Sequence, residues 1–195
     1  MKVLVCDFDE TFINQDLELE FVRFYKKKYL KPTDIFFASI SIPINMISSF
    51  LEVRSLFKAW TVGKDKSCMN EMFAAFFEQS NIQINQSVFN FVSDFEGSRI
   101  LLTGCLEELA IAFLKHNNLD HVFNKIIGAK TTCNGFFLQR HPFGRSKLKF
   151  ISSPDVGIGN SKLDRYFLSE CKNPIITNPD KELELYAEKY GWREI

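Results

Sequence analysis

An apolar run, Val3-Leu4-Val5-Cys6, leads into Asp7-Phe8-Asp9, with Thr11 close behind. In an extended chain, residues two apart face the same way, so Asp7 and Asp9 can share one pocket while Phe8 packs elsewhere. Alone, such a pair equally suits a turn or a helix cap. Thr103, Lys147 and Asp164 raise its meaning, because each fits a role in one reaction, phosphoryl transfer to a carboxylate. An ionised Asp needs no base to act as nucleophile. The obstacle is repulsion between anions, which a metal ion, a Lys and directed hydrogen-bond donors remove. Asp7 fits the nucleophile and can hold a metal with its second oxygen. Asp9 fits an acid that protonates the leaving group and then a base that activates water, which requires a pKa above that of Asp7. Lys147 can pair with the phosphate, while Thr103 and the amides near Gly104 hydrogen-bond its oxygens. Asp164 can hold magnesium, which takes oxygen ligands and keeps several waters. Thr11 can brace the turn or bond Asp9.

These residues need a scaffold that brings them together. Val3 to Cys6 reads as a buried strand. From about Leu17 to Phe95 the apolar residues fall at helical spacing, as in Leu17, Phe21, Phe24, Tyr25 and Met69, Met72, Phe73, Phe76. Strands follow at Arg99–Thr103, within Val122–Gly128, at Val156–Gly159 and at Pro174–Thr177. Between them the pattern predicts helices over Leu106–His116, Arg145–Ser152, Leu163–Cys171 and Lys181–Tyr190. Asn134-Gly135 is a hairpin signal. Alternating strands and helices imply an α/β fold with a parallel sheet, whose ligand crevice lies outside the carboxyl ends of its strands. Asp7, Thr103 and Asn160 all follow such ends.

The 195 residues suffice for one core with an insertion. Basic and acidic residues balance at 24 each, so nothing favours nucleic acid as a partner. Five cysteines without a C-x-x-C pair imply reduced thiols and a cytosolic setting. The uncharged stretch from Ile35 to Leu51 is interrupted by Pro43 and Asn45. It reads as buried helices or, with Lys26-Lys27-Lys28 upstream, as a surface making peripheral membrane contact. His116, His121 and His141 lack metal-ligand spacing, and Cys6 and Cys105 read as core residues without a catalytic role.

Asp7-Phe8-Asp9-Glu10-Thr11 resembles the first motif, DxDxT, of the haloacid dehalogenase-like (HAD) hydrolase superfamily. Leu101-Leu102-Thr103-Gly104 resembles its second motif, and Gly144 to Ile151 its third, GxxKxxxL, which points to Lys147. Gly159-Asn160-Ser161-Lys162-Leu163-Asp164 resembles the fourth, GDSxxD, and the tail from Ile176 to Trp192 is similar to the phosphoserine-phosphatase-like branch. The resemblance implies a Rossmann-like core from residues 1–14 and 96–195 and an inserted α-helical cap from 15–95. It also implies Mg2+, held by Asp7, Asp9, Asn160 and Asp164, and a phosphoaspartate on Asp7. Asp9 would be the acid/base and ligate the metal through its backbone carbonyl. The family usually has Asp where this chain has Asn160, so metal binding should be weaker, with Asp164 taking more of the load.

The resemblance implies a magnesium-dependent phosphomonoester hydrolase acting on a small phosphorylated metabolite or a lipid-linked phosphate. A phosphoserine phosphatase, a phosphotransferase and an impaired binding module are the alternatives. Thr11, Gly104, Asp16 and Arg54 are the candidate substrate contacts: Asp16 sits where phosphoserine phosphatases hold a substrate amine, and Arg54 is a candidate for the cap Arg that holds its carboxylate. Asp16 is equally placed to cap the helix beginning near Leu17.

Overall fold

The computed structural model describes residues 1–33, 35–36, 64–131 and 138–195. Arg54, Asn134-Gly135 and the apolar stretch from residue 37 onward lie outside them. The chain begins with β1 (Val3–Cys6), followed by α1 (Leu17–Lys28), α2 (Lys66–Phe77) and α3 (Gln86–Asp94). Next come β2 (Ser98–Leu106), α4 (Glu107–His116), β3 (Lys125–Thr131) and β4 (Leu138–Arg140). A 3-10 helix (Gly144–Phe150), β5 (Val156–Gly159), α5 (Arg165–Leu168), β6 (Asn173–Ile176), α6 (Lys181–Tyr190) and β7 (Arg193–Glu194) complete it.

The strands form one sheet in the order β4-β3-β2-β1-β5-β6-β7. Every pairing is parallel except that of β3 with β4. Side chains alternate across this sheet. Leu4, Cys6 and Leu101 join a cluster with Phe8, Phe21, Phe73 and Phe113 under α1, α2 and α4. Val5 and Leu102 face the other way, against Phe167 of α5 and Leu183 and Ala187 of α6. The described insertion helices therefore share a core with one sheet face. Phe113 meets Phe8 edge-on at 5.7 Å and Phe77 at 5.9 Å.

The chain leaves and re-enters the sheet edge as a pair of strands. Ile13 bridges Ile84, Asn14 N–H donates to Gln83 at 2.8 Å, and Asn85 N–H donates to Phe12 at 2.9 Å. The Asn85 side chain also donates to Thr177 at 3.1 Å, fastening this junction to the loop after β6.

Several elements differ from the sequence reading. β2 runs on to Leu106, and β3 spans Lys125–Thr131 rather than ending at Gly128. The segment expected as a helix over Arg145–Ser152 is a 3-10 helix. Gly144 has φ +49, and the Ser146 hydroxyl bonds the His141 and Phe143 carbonyls, tightening the turn. The helix expected over Leu163–Cys171 shrinks to α5, because residues 161–164 form a turn around the Asp164 carboxylate. The short edge strand β7 carries no alternation that would announce it.

Candidate active site

Register puts the expected residues on one edge. Cys6 pairs with Leu101 on one side and Ile158 on the other, so the residues just beyond all three emerge together. Asp7 extends the ladder by donating its N–H to Ile158 at 2.9 Å. Asp7, Thr11, Thr103, Lys147, Asn160 and Asp164 are all buried.

Lys147 arrives from the 3-10 helix and bridges two carboxylates, at 2.5 Å from Asp7 Oδ1 and 2.6 Å from Asp164 Oδ1. The other Asp164 oxygen accepts from the Asn160 and Ser161 amides and the Ser161 hydroxyl, each at 3.2 Å. A Cβ on Gly159 would lie 2.8 Å from the Asp164 Cβ, so a residue without a side chain lets Asp164 fold back here. Ser161 is a site residue that sequence reasoning left without a role, although it lies inside the fourth motif.

Burial disfavours the Lys147 charge, but Asp164 and Asp7 outweigh it and its pKa is raised; the ammonium persists. Burial is also the largest influence on Asp7. Lys147 opposes it, Asp164 adds to it, and the carboxyl is raised to about 7, since two acids share one ammonium in a dry pocket. Burial likewise lifts the Cys6 thiol well above its usual range, with Asp7 adding, so it stays protonated.

Asp9 has different partners. One oxygen accepts from the Leu17 N–H at 2.9 Å, the other from the Thr103 hydroxyl at 3.3 Å. Burial raises its pKa well above the ordinary value, and the charges of Asp16 and Asp7 add to this. Thr103 also accepts from the Cys105 N–H at 2.9 Å. The turn it closes leads into α4, whose N-cap, Leu106, makes no side-chain capping bond. The start of that helix therefore suits an anion. Gly104 packs against the 3-10 segment: a Cβ there would meet the Phe143 ring at 3.3 Å and His141 Nε2 at 3.6 Å.

Asp16 caps α1, accepting from Leu19 N–H at 2.8 Å, the second of its two expected roles. Thr11 donates toward Asp7 Oδ2 at 3.3 Å and Asn160 Oδ1 at 3.1 Å rather than to Asp9. The Asn160 amide lies 3.5 Å from Glu10 Oε2, and Glu10 has φ +55.

Among the described residues, no group of three or more His, Cys, Asp or Glu side chains is arranged to hold a metal ion. Asp7 and Asp164 each have both oxygens hydrogen-bonded, Asp7 to Lys147 and Thr11, Asp164 to Lys147 and the groups of residues 160 and 161. An Asp7 oxygen and an Asn160 oxygen converge on the Thr11 hydroxyl. This is an all-oxygen set of the kind magnesium takes, carrying a single side-chain charge.

No protein-family profile matches the sequence, and no curated protein matches it. Solved structures do match in fold. A protein of unknown function from Bordetella pertussis Tohama I superposes with TM-score 0.74 at 12% identity, over 100% of this chain and 97% of that one. A phosphoserine phosphohydrolase-like protein from Francisella tularensis subsp. tularensis SCHU S4 gives 0.55 at 16% identity, over 95% and 93%. A substrate-bound phosphoserine phosphatase complex gives 0.53 at 11% identity, over 100% and 92%. The chain has the fold of the HAD-family hydrolases, and phosphoserine phosphatases are among the solved structures that share it.

Proposed function

We propose that the protein is a magnesium-dependent phosphomonoester hydrolase with Asp7 as nucleophile and Asp9 as acid/base. The observation that carries this reading is the buried Asp7–Lys147–Asp164 bridge beside the Asp9–Thr103 hydrogen bond. A nucleophile and a proton carrier, each in its own environment, meet where a helix begins.

An Asp7 oxygen forms a bond to phosphorus as the ester oxygen departs with its electron pair. Protonated Asp9 delivers a proton to that oxygen. The raised pKa of Asp9 favours the protonated form that this step needs. Thr103 and the first amides of α4 hold the phosphate oxygens, and Lys147 fixes Asp7 and offsets its charge. Asp9, now a carboxylate, takes a proton from water attacking the aspartyl phosphate. Orthophosphate leaves and Asp7 is restored. Asp7, Asn160, Asp164 and the Asp9 carbonyl would hold magnesium, which would neutralise charge between nucleophile and phosphate. Residues 15–95 would act as the cap over this edge.

For the substrate, we favour a phosphorylated metabolite or a lipid-linked phosphate. Leu30, Ile35 and Phe36 are 45%, 57% and 61% exposed beside Lys26, Lys27 and Lys28, which supports contact with a lipid surface. Among the described residues, no helix is long and apolar enough to cross a membrane. The test is phosphate release from para-nitrophenyl phosphate, phosphoserine, nucleotides and detergent-dispersed phosphatidyl phosphate, with and without magnesium. Release with magnesium that Asp7→Asn abolishes supports the reading. Faster turnover of phosphoserine than of the lipid rejects the lipid substrate. Asn160 and the engaged Asp164 favour one second reading, a phosphate-binding module, which would bind orthophosphate and release none from any ester.

A further inference from the structure

The β2–β3 ladder breaks beside the phosphate site. Leu102 pairs with Ile127, but the next registered pair is Leu106 with Ala129. Three residues of β2, Thr103 to Cys105, thus stand against one residue of β3, Gly128. This excess pushes the Thr103 turn out of the ladder, a bulge that aims it at the sheet edge. It also leaves Gly128 without a registered partner on β2.

Side chains take over its backbone groups. The Gly128 N–H donates to Glu107 Oε2 at 3.0 Å, and the Gly128 carbonyl accepts from Arg140 Nε at 2.9 Å. Arg140 Nη2 closes the ring by pairing with the same Glu107 oxygen, and Lys130 holds Oε1 at 2.9 Å. A Cβ on Gly128 would lie 2.7 Å from the Glu107 Cα, so only glycine lets the helix start this close. The two ends of this ring matter. Glu107 opens α4 immediately after the Thr103 turn. Arg140 ends β4, and the chain then passes His141 and Phe143, which pack on Gly104, before reaching Lys147.

We propose that Glu107 and Arg140 are positioning residues. Their fork replaces backbone pairing across the bulge and so holds the Thr103 turn and the Lys147 segment in register with each other. Arg140 also pairs with the Glu107 carboxylate, offsetting a charge that would otherwise repel an anion at the start of α4. The geometry suits an arginine: a lysine keeps the charge but lacks the planar fork whose Nε and Nη2 reach Gly128 and Glu107 from one rigid group.

The catalytic part of the proposal rests on the hydrolase reading above, so the test has two arms. Arg140→Lys should lower kcat on the order of 10²-fold with KM nearly unchanged, because the nucleophile and its lysine are misplaced rather than lost. It should also raise amide exchange over residues 103–106 and 141–147, leaving β5 and α6 protected. Glu107→Gln, which keeps an acceptor for Gly128, should show both effects in smaller measure. Lys130→Met, on the exposed arm, should show neither. Unchanged exchange in those two segments, or exchange raised equally across β5 and α6, overturns the proposal. So does a loss confined to KM. If Arg140→Lys does not fold, Glu107→Gln decides by the same criteria. The exchange arm needs no turnover, so a wild-type chain that releases no phosphate rejects the hydrolase reading without deciding this one.

Discussion

Asp9 accepts a hydrogen bond from the backbone N–H of Leu17, the first residue of α1, at 2.9 Å. The proton carrier is thus tied to the first helix of the insertion, and its second oxygen is tied to Thr103. In an asparagine the amide oxygen can accept from Leu17 while the NH2 donates to the Thr103 hydroxyl oxygen, but the side chain cannot carry a proton. Asp9→Asn should therefore lower kcat by roughly 10²–10⁴-fold. Its melting temperature at neutral pH should not fall, because a neutral amide replaces a buried acid and both contacts keep a hydrogen bond. Steady-state kinetics and a thermal melt on one sample check both halves. A large drop in melting temperature would show that the charge itself holds α1.

Lys147 stands between two buried carboxylates, so its removal leaves both without a counter-charge. Lys147→Met should cost about 3–5 kcal/mol at pH 7. The cost should shrink on acidification, and the sign follows from proton linkage. Without the ammonium, Asp7 holds its proton in the folded state at pH values where the unfolded chain has released it. Stability then falls as pH rises above the unfolded carboxylate pKa. Wild-type Asp7, already raised to about 7, contributes the same trend more weakly between about pH 4 and 7. Urea denaturation at pH 5 and pH 7 should show a larger gap between variant and wild type at pH 7. An equal gap at both values would contradict the bridging role.

The sheet was legible because its information is local. β1, β5 and α6 have the bounds their apolar runs and caps predict, with Asp180 capping α6 and Gly191 ending it in the left-handed conformation. The edge carrying Asp7, Thr103 and Asn160 followed from strand ends alone. What sequence spacing could not show was which groups satisfy one another. Asp164 looks like a free carboxylate in the fourth motif, yet Lys147, Ser161 and the turn amides engage both its oxygens. Asp16 had two readings, and only the Leu19 bond separates them. Glu107 and Arg140 lie far apart in sequence with no motif to join them, because their meeting depends on a bulge.

Gly159 sits where Asp164 turns back on β5. Gly159→Ala would place a methyl 2.8 Å from the Asp164 Cβ and 2.9 Å from its Oδ2. Either the strand or the carboxylate must move. The expected cost is about 1–3 kcal/mol from overpacking. Displacing Asp164 also frees Lys147 from one partner, so turnover should fall together with stability. Denaturant titration and kinetics on the same preparation would show this. Full activity with lowered stability would mean that Asp164 does not hold Lys147 in its working position.

Asn160 faces Asp7 across the Thr11 hydroxyl and brings no charge to the oxygen set. Replacing it with a carboxylate tests whether that set holds a metal. Asn160→Asp should tighten magnesium binding about tenfold, or ~1.4 kcal/mol. Without magnesium the variant should be less stable at neutral pH, since its new charge lies near Asp7 and Glu10, where the Asn160 amide now lies 3.5 Å from Glu10 Oε2. Magnesium should raise the melting temperature more at pH 8 than at pH 6, because Asp7 must lose its proton to serve as a ligand and its pKa is raised to about 7. Thermal melts across a magnesium series at the two pH values read all three effects. Weaker magnesium binding in Asn160→Asp would remove Asn160 from the metal site.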